Sequence, residues 1–234
     1  RSAIAAVIGN TDILETSKAL TVITDCYIEA MLEHTKLAQD LEIDLCVVAM
    51  GRLGGGELGF GSDADVMLVY RGSAEELQQA AEKLTATFLA KIKDPLLSFE
   101  LDLDLRPEGK NGPRVKSLDA YAGYYEKWAD TWEYQALIRA RPTTGSDVLR
   151  SEFLKLIDGY RYPSELSTKQ LLEIRRIKAR VESERLPQGA DPNRHLKLGR
   201  GSISDVEWLV QLYQLRFANG SESLRALGTL GTLN

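Results

Sequence analysis

Apolar positions recur at helical spacing up to about residue 40, with Ala19, Val22, Ile23, Cys26 and Ala30 in register. Residues 44–50, DLCVVAM, form a short apolar run that stops at a glycine, and 65–70, DVMLVY, form a second. Each suits a buried strand. Ser73 and Glu76 then stand at capping-box spacing, and Leu77, Ala81, Leu84 and Phe88 line one face of a predicted helix. From 98 to 107, SFELDLDLRP, the period drops to two. Phe99, Leu101, Leu103 and Leu105 share one face; Glu100, Asp102, Asp104 and Arg106 share the other. Pro107 and the EGKNGP run end that strand in a turn. Beyond Ser117 the pattern predicts helices near 117–140, 146–159, 167–185 and 204–218, the last opened by Ser204 and Glu207 at capping-box spacing. The layout predicts an α+β fold: a small mixed β-sheet core with helices over 1–142, then a mostly helical domain over 143–234.

Charge narrows the partners. The 234 residues carry a net charge of −5, which argues against nucleic acid and acidic membranes, since both need a basic footprint. No apolar stretch reaches the length of a bilayer span. Cys26 and Cys46 sit in apolar-patterned segments and read as small buried hydrophobes, so a reducing cytoplasm is the expected location. The start at Arg1 and the closing LRALGTLGTLN read as the ends of a segment from a longer polypeptide.

The stretch GRLGGGELGFGSDADVMLVY, residues 51–70, carries the candidate chemistry. A P-loop needs a Gly-Lys-Ser/Thr ending, and no lysine occurs between Gly51 and Tyr70. Gly54, Gly56 and Gly59 match the dinucleotide fingerprint, but that motif must open a helix holding the pyrophosphate, and an apolar run follows too soon. The third reading is a glycine turn before a strand that starts Ser-Asp-x-Asp. Asp63 and Asp65 are then on one strand face, roughly 6.5–7 Å apart along it. Carboxylates beside a phosphate make sense when divalent cations stand between them, because Mg²⁺ takes one or two carboxylates plus phosphate oxygens. A third carboxylate, offered by Glu100, Asp102 or Asp104, would complete a two-metal site.

Gly54-Gly55, seven residues, then Asp63-Ala64-Asp65 resembles the nucleotidyltransferase superfamily that includes DNA polymerase beta. Together with FELDLDLRPEGKNGPRV, TWEYQALIRARP and GSISDVEWLVQLYQLRF, it is similar to glutamine synthetase adenylyltransferase over residues 45–218. The resemblance implies Mg²⁺-dependent transfer of AMP from ATP to a tyrosine of glutamine synthetase, with 1–142 as the catalytic core. TWEYQALIRAR is more similar to the adenylylating half of that family than to its phosphorolytic, deadenylylating half. The resemblance gives Asp63, Asp65 and Asp102 as catalytic metal ligands, and Gly54, Gly55 and Ser62 as phosphate contacts. Asp104 stands where many members carry Arg. A PII signalling protein is an implied partner of the full-length chain, and a non-catalytic PII-binding module is an alternative.

Arg52, Arg106, Arg139 and Arg141 could reach phosphates, but surface salt bridges are the ordinary expectation. Trp128, Trp132 and Trp208 read as packing anchors. His34 and His195 have no Cys or His partner at ligand spacing.

Overall fold

The computed structural model describes residues 5, 6, 9, 11–93 and 99–233. Residues 1–4, 7, 8 and 10 of the expected N-terminal helix, and Ser98 of the expected strand, lie outside the described residues. Two compact units are present, Arg1–Trp128 with Arg139–Leu156, and Ala129–Ile138 with Ile157–Asn234.

The first unit is built on a sheet. Helix α1, Ile13–Gln39, starts where the Asp12 carboxylate accepts from the Glu15 N–H at 2.7 Å. Strand β1, Leu45–Ala49, runs straight into a single helical turn, α2, Gly51–Gly54. Strand β2, Ala64–Tyr70, pairs antiparallel with β1 from Leu45↔Tyr70 to Ala49↔Val66. Helix α3, Glu75–Ile92, then carries the chain to β3, Leu101–Asp102, which is parallel to β2. A second parallel partner, β4, Lys116–Ser117, pairs with the far end of β2 and leads into α4, Leu118–Lys127. Strand β5, Arg141–Pro142, closes the free edge of β1 and precedes α6, Asp147–Arg161. Among the described residues the sheet order is β3-β2-β1-β5, with β4 beside β2.

Both faces of the central hairpin are covered, which is why its strands read as unbroken apolar runs. Leu45, Val47 and Ala49 face the same core as Ala64, Val66 and Leu68, packed by Ile28 and Leu32 of α1 and Ala81, Leu84 and Phe88 of α3. Alternation puts Cys46, Val48, Met67 and Val69 on the opposite face. There the Tyr125 hydroxyl meets the Met67 sulfur at 3.9 Å, and the buried Tyr121 hydroxyl donates to the Leu68 carbonyl at 3.2 Å. Burial holds Tyr121 well above the ordinary phenol range and pushes the Cys46 thiol up to about 12.

The second unit is helical: α5, Thr131–Leu137, the end of α6, α7, Thr168–Glu184, α8, Ile203–Phe217, and α9, Thr229–Leu233. Ile138, Ile174 and Leu215 form its core with Trp208 and Leu212 packed against them.

Several expectations need correction. The helix expected over 117–140 is two, because Glu133 accepts from the Asp130 N–H at 2.8 Å and starts a new one after Trp128. Helix α3 is capped by Ala74 rather than by Ser73, and α8 by Ser202, so Ser204 lies inside the helix. Among the described residues of the strand expected over 98–107, pairing is confined to Leu101–Asp102 and a bridge at Phe99. Cys26 is exposed rather than buried, and Trp128 is 74% exposed rather than a packing anchor.

Candidate active site

The glycine segment begins as a helix. Gly51 holds φ +51°, a backbone that favours glycine, and the chain turns from β1 into α2 there. The N–H groups of Gly54, Gly55, Gly56 and Glu57 donate to Met50, Gly51, Leu53 and Arg52 carbonyls at 2.7, 3.1, 3.2 and 2.9 Å. Gly54 is buried, and a Cβ there would overlap the Arg139 carbonyl and lie 2.6 Å from the Ala49 carbonyl. Gly54 therefore lets α2 pack onto the ends of β1 and β5. Gly55 sits at φ −72°, ordinary helical backbone. Farther on, Ser62 N–H donates to the Gly59 carbonyl and Ser62 Oγ accepts from the Gly59 N–H, both at 3.1 Å, which closes the Gly59–Ser62 turn. Phe60 is displayed on that turn, 58% exposed.

Asp63 follows directly and is exposed; Asp65 is half-buried. The parallel register pairs Asp65 with Asp102, so both project from the same sheet face, on strands about 4.8 Å apart. Asp63 precedes β2 by one residue, two positions from Asp65. The carboxylates stand at the end of the face that carries Met67 and Val69. Met50 N–H donates to the Asp65 carbonyl at 2.8 Å, which carries the β1–β2 pairing one step past the strand and brings the start of α2 beside Asp65.

The other acids of the 98–107 segment are elsewhere. Asp102 Oδ1 accepts from the Asp104 N–H at 2.7 Å, a short-range bond that turns the chain out of the strand. Asp104 reaches Lys110 at 3.2 Å, and Glu100 reaches Lys93 at 2.9 Å.

Arg106, Arg139 and Arg141 are buried or half-buried rather than on the surface, and the last two do form ion pairs. Arg106 is buried and donates to the Leu103 carbonyl at 2.8 Å and to the Gly112 carbonyl at 3.3 and 3.1 Å, pinning the loop after β3. Buried Arg139 faces Glu57 at 3.5 Å. Arg141 forks onto Asp25 at 2.9 and 3.2 Å and also donates to the Leu53 and Gly54 carbonyls at 3.0 and 3.2 Å. It thereby ties the C-terminal end of α2 to α1. The alternation in Arg-Ala-Arg-Pro, a strand period, was the signal available for this role.

Asp63, Asp65 and Asp102 are hard oxygen donors of the kind Mg²⁺ accepts, and the register sets two of them side by side. Among the described residues no three His, Cys, Asp or Glu side chains are gathered as a metal-holding group. A cation between these aspartates would therefore complete its shell with oxygens of a phosphate ligand and water.

The family model for glutamate-ammonia ligase adenylyltransferase matches residues 1–156. The bifunctional glutamine synthetase adenylyltransferase/adenylyl-removing enzyme of Leifsonia xyli is 46% identical across 100% of this chain. The enzymes of the same name from Mycobacterium tuberculosis and Mycolicibacterium smegmatis are each 44% identical, across 98% and 100% of the chain. The chain spans about a quarter of the length of these relatives, 24% in each case. The aspartates of β2 and β3 and the glycine segment all fall inside the matched region, and the chain belongs to the glutamate-ammonia ligase adenylyltransferase family.

Proposed function

We propose that the chain is a Mg²⁺-dependent nucleotidyltransferase that moves AMP from ATP to a tyrosine of glutamine synthetase and releases pyrophosphate. The observation that carries this reading is the Asp65–Asp102 register, with Asp63 two positions before Asp65. In this reading Asp63 and Asp65 would hold Mg²⁺ against the triphosphate, and Gly55 with the Ser62 hydroxyl would lie along the phosphates, whereas buried Gly54, its N–H bonded to Met50 and its carbonyl to Arg141, would act by letting α2 pack onto β1. Bound Mg²⁺ would neutralise phosphate charge where the α-phosphorus is attacked. The attacking phenol has an ordinary pKa of about 10 and needs help to deprotonate. Asp102, as a Mg²⁺ ligand beside Asp65, would orient that hydroxyl and accept its proton. The rest is alignment and charge neutralisation, as in other phosphoryl transfers.

The relatives' name includes adenylyl removal, so a second reading is the phosphorolytic half, which would use orthophosphate and adenylylated enzyme. TWEYQALIRAR favours the transferring half. A cytoplasmic location belongs to the same reading and is consistent with Cys26 and Cys46 both being free thiols, and contact of a full-length protein with a PII protein rests on the resemblance. The test is incubation with α-labelled ATP, Mg²⁺ and unmodified glutamine synthetase. Label appearing on the synthetase supports transfer. Label lost from pre-adenylylated synthetase in phosphate supports removal. Neither outcome would leave a PII-binding module as the surviving alternative.

A further inference from the structure

Gly51 has no place among the phosphate contacts above, yet it combines a positive φ with a close approach to one of the site's own aspartates. Its φ of +51° already disfavours an L side chain. A Cβ built there would overlap Asp65 Oδ2 and stand 3.1 Å from Asp65 Cγ and 3.4 Å from Asp65 Cβ. The three nearest atoms it would meet belong to a single side chain, and that side chain is a carboxylate paired in register with Asp102. Gly56 and Gly61 also have positive φ, but a Cβ at either would meet nothing within 4 Å. Their freedom serves the backbone alone, whereas that of Gly51 also makes room for Asp65.

We propose that Gly51 is a positioning residue for the Asp65 carboxylate: the missing side chain at 51 lets Oδ2 lie against the first turn of α2, at the place where it can share a cation with its neighbours. The hydrogen bond from Met50 N–H to the Asp65 carbonyl fixes the two backbones relative to each other, so neither strand can slide to relieve an added methyl. Relief must come from rotation of the Asp65 side chain. A metal site tolerates only a few tenths of an ångström in ligand position, so such a rotation would remove a ligand. This inference rests on the nucleotidyltransferase reading for its functional consequence, but its packing content stands without it.

The test is a cycle of Gly51→Ala, Asp65→Ala and the double variant in the full chain. Gly189→Ala serves as a control for positive φ, since Gly189 sits at φ +83° with nothing within 4 Å of a Cβ. Two readouts are taken: melting temperature without metal or nucleotide, and Mn²⁺ affinity by paramagnetic resonance with ATP present. In the Asp65→Ala background the two nearest atoms, Oδ2 and Cγ, are gone, and the Cβ that stays at 3.4 Å is an ordinary contact. Gly51→Ala is therefore expected to lower the melting temperature more in the wild-type background than in the Asp65→Ala background. Mn²⁺ affinity should fall at least tenfold in Gly51→Ala, stay at the wild-type value in Gly189→Ala, and fall no further when Gly51→Ala is added to Asp65→Ala. If Gly51→Ala alone does not fold, rescue of folding by Asp65→Ala is the supporting result. Equal thermal cost in both backgrounds, or unchanged Mn²⁺ affinity in a folded Gly51→Ala beside a wild type that binds Mn²⁺, overturns the proposal. A coupled thermal cycle in a wild type that binds no Mn²⁺ would support the packing role and remove the metal-site reading.

Discussion

Replacing Asp102 and Asp104 by Asn, one at a time, separates two acids that strand alternation alone places on one face. Asp102 is in register with Asp65. Asp104 has left the strand and pairs with Lys110, with 48% of its side chain exposed against 81% for the lysine. An ion pair that exposed is worth at most about 1 kcal/mol, so Asp104→Asn should change stability and rate by no more than a few-fold. Asp102→Asn is conservative for the fold. Its carboxylate accepts from the Asp104 N–H through Oδ1 at 2.7 Å, and an amide oxygen can accept that bond equally well. Stability should therefore fall by no more than about 1 kcal/mol. The charge and the basicity are lost, and removal of a general base costs about 10²–10⁴ in rate, or roughly 2.7–5.4 kcal/mol at 1.36 kcal/mol per decade. The assay is steady-state transfer of label from α-labelled ATP to glutamine synthetase, with ATP affinity and melting measured alongside. The expected pattern is a folded Asp102→Asn that still binds Mg-ATP through Asp63 and Asp65 but transfers slowly. A dead Asp104→Asn beside an active Asp102→Asn would refute the assignment and the role given to the strand register.

ATP affinity measured calorimetrically should collapse when EDTA removes divalent cations, because the aspartates would otherwise face the triphosphate unscreened; equal affinity with and without EDTA would refute the metal reading. Arg141→Met should destabilise the first unit by about 2–4 kcal/mol, since it strands Asp25 and the Leu53 and Gly54 carbonyls together, and a denaturant midpoint unchanged from wild type would contradict this. In the second unit the Asp205 carboxylate is held below its usual range by the hydrogen bond from Lys178, and by a further bond from the Gly201 N–H, against a smaller opposing effect of burial. A depressed carboxylate stabilises the folded state above its unfolded pKa of about 3.9, and that contribution is lost as pH falls through the lower folded value. The stability gap between wild type and Asp205→Asn should be full near neutrality and shrink below about pH 4; a gap independent of pH would count against the pairing.

The hairpin of β1 and β2 was legible because both faces of its strands are buried, leaving continuous apolar runs. Helix α3 was legible because Ala81, Leu84 and Phe88 keep a 3.6-residue period into the core. The acidic strand was read too long for a local reason: alternation persists through Leu105, but the Asp102 side chain captures the Asp104 N–H and bends the chain away. Strands β4 and β5 have two residues each, too few for any period. The helical turn at Gly51–Gly54 was hidden because glycine disfavours helix, and the close approach of Gly51 to Asp65 and of Gly54 to Ala49 and Arg139 is a tertiary feature with no local pattern. The acids Asp63, Asp65 and Asp102 could be named from spacing and resemblance. That Asp65 and Asp102 are lateral neighbours depends on a parallel register between segments 37 positions apart, which no local pattern encodes.

The ladder that joins Asp65 to Asp102 is only two residue pairs long, whereas β1 and β2 share five. It lies at the sheet edge, at the end of a crossover through α3 whose loop entropy must be recovered before the pairing gains anything. Such a pairing can open without loss of the hairpin, so Leu101 and Asp102 amides should exchange with solvent through a low-energy fluctuation while β1 and β2 exchange only on global unfolding. One half of the acidic pair is thus anchored in the most cooperative part of the unit and the other in a segment free to breathe. A ligand that bridged them would slow exchange at β3 far more than at β2, and would knit a marginal strand into the sheet.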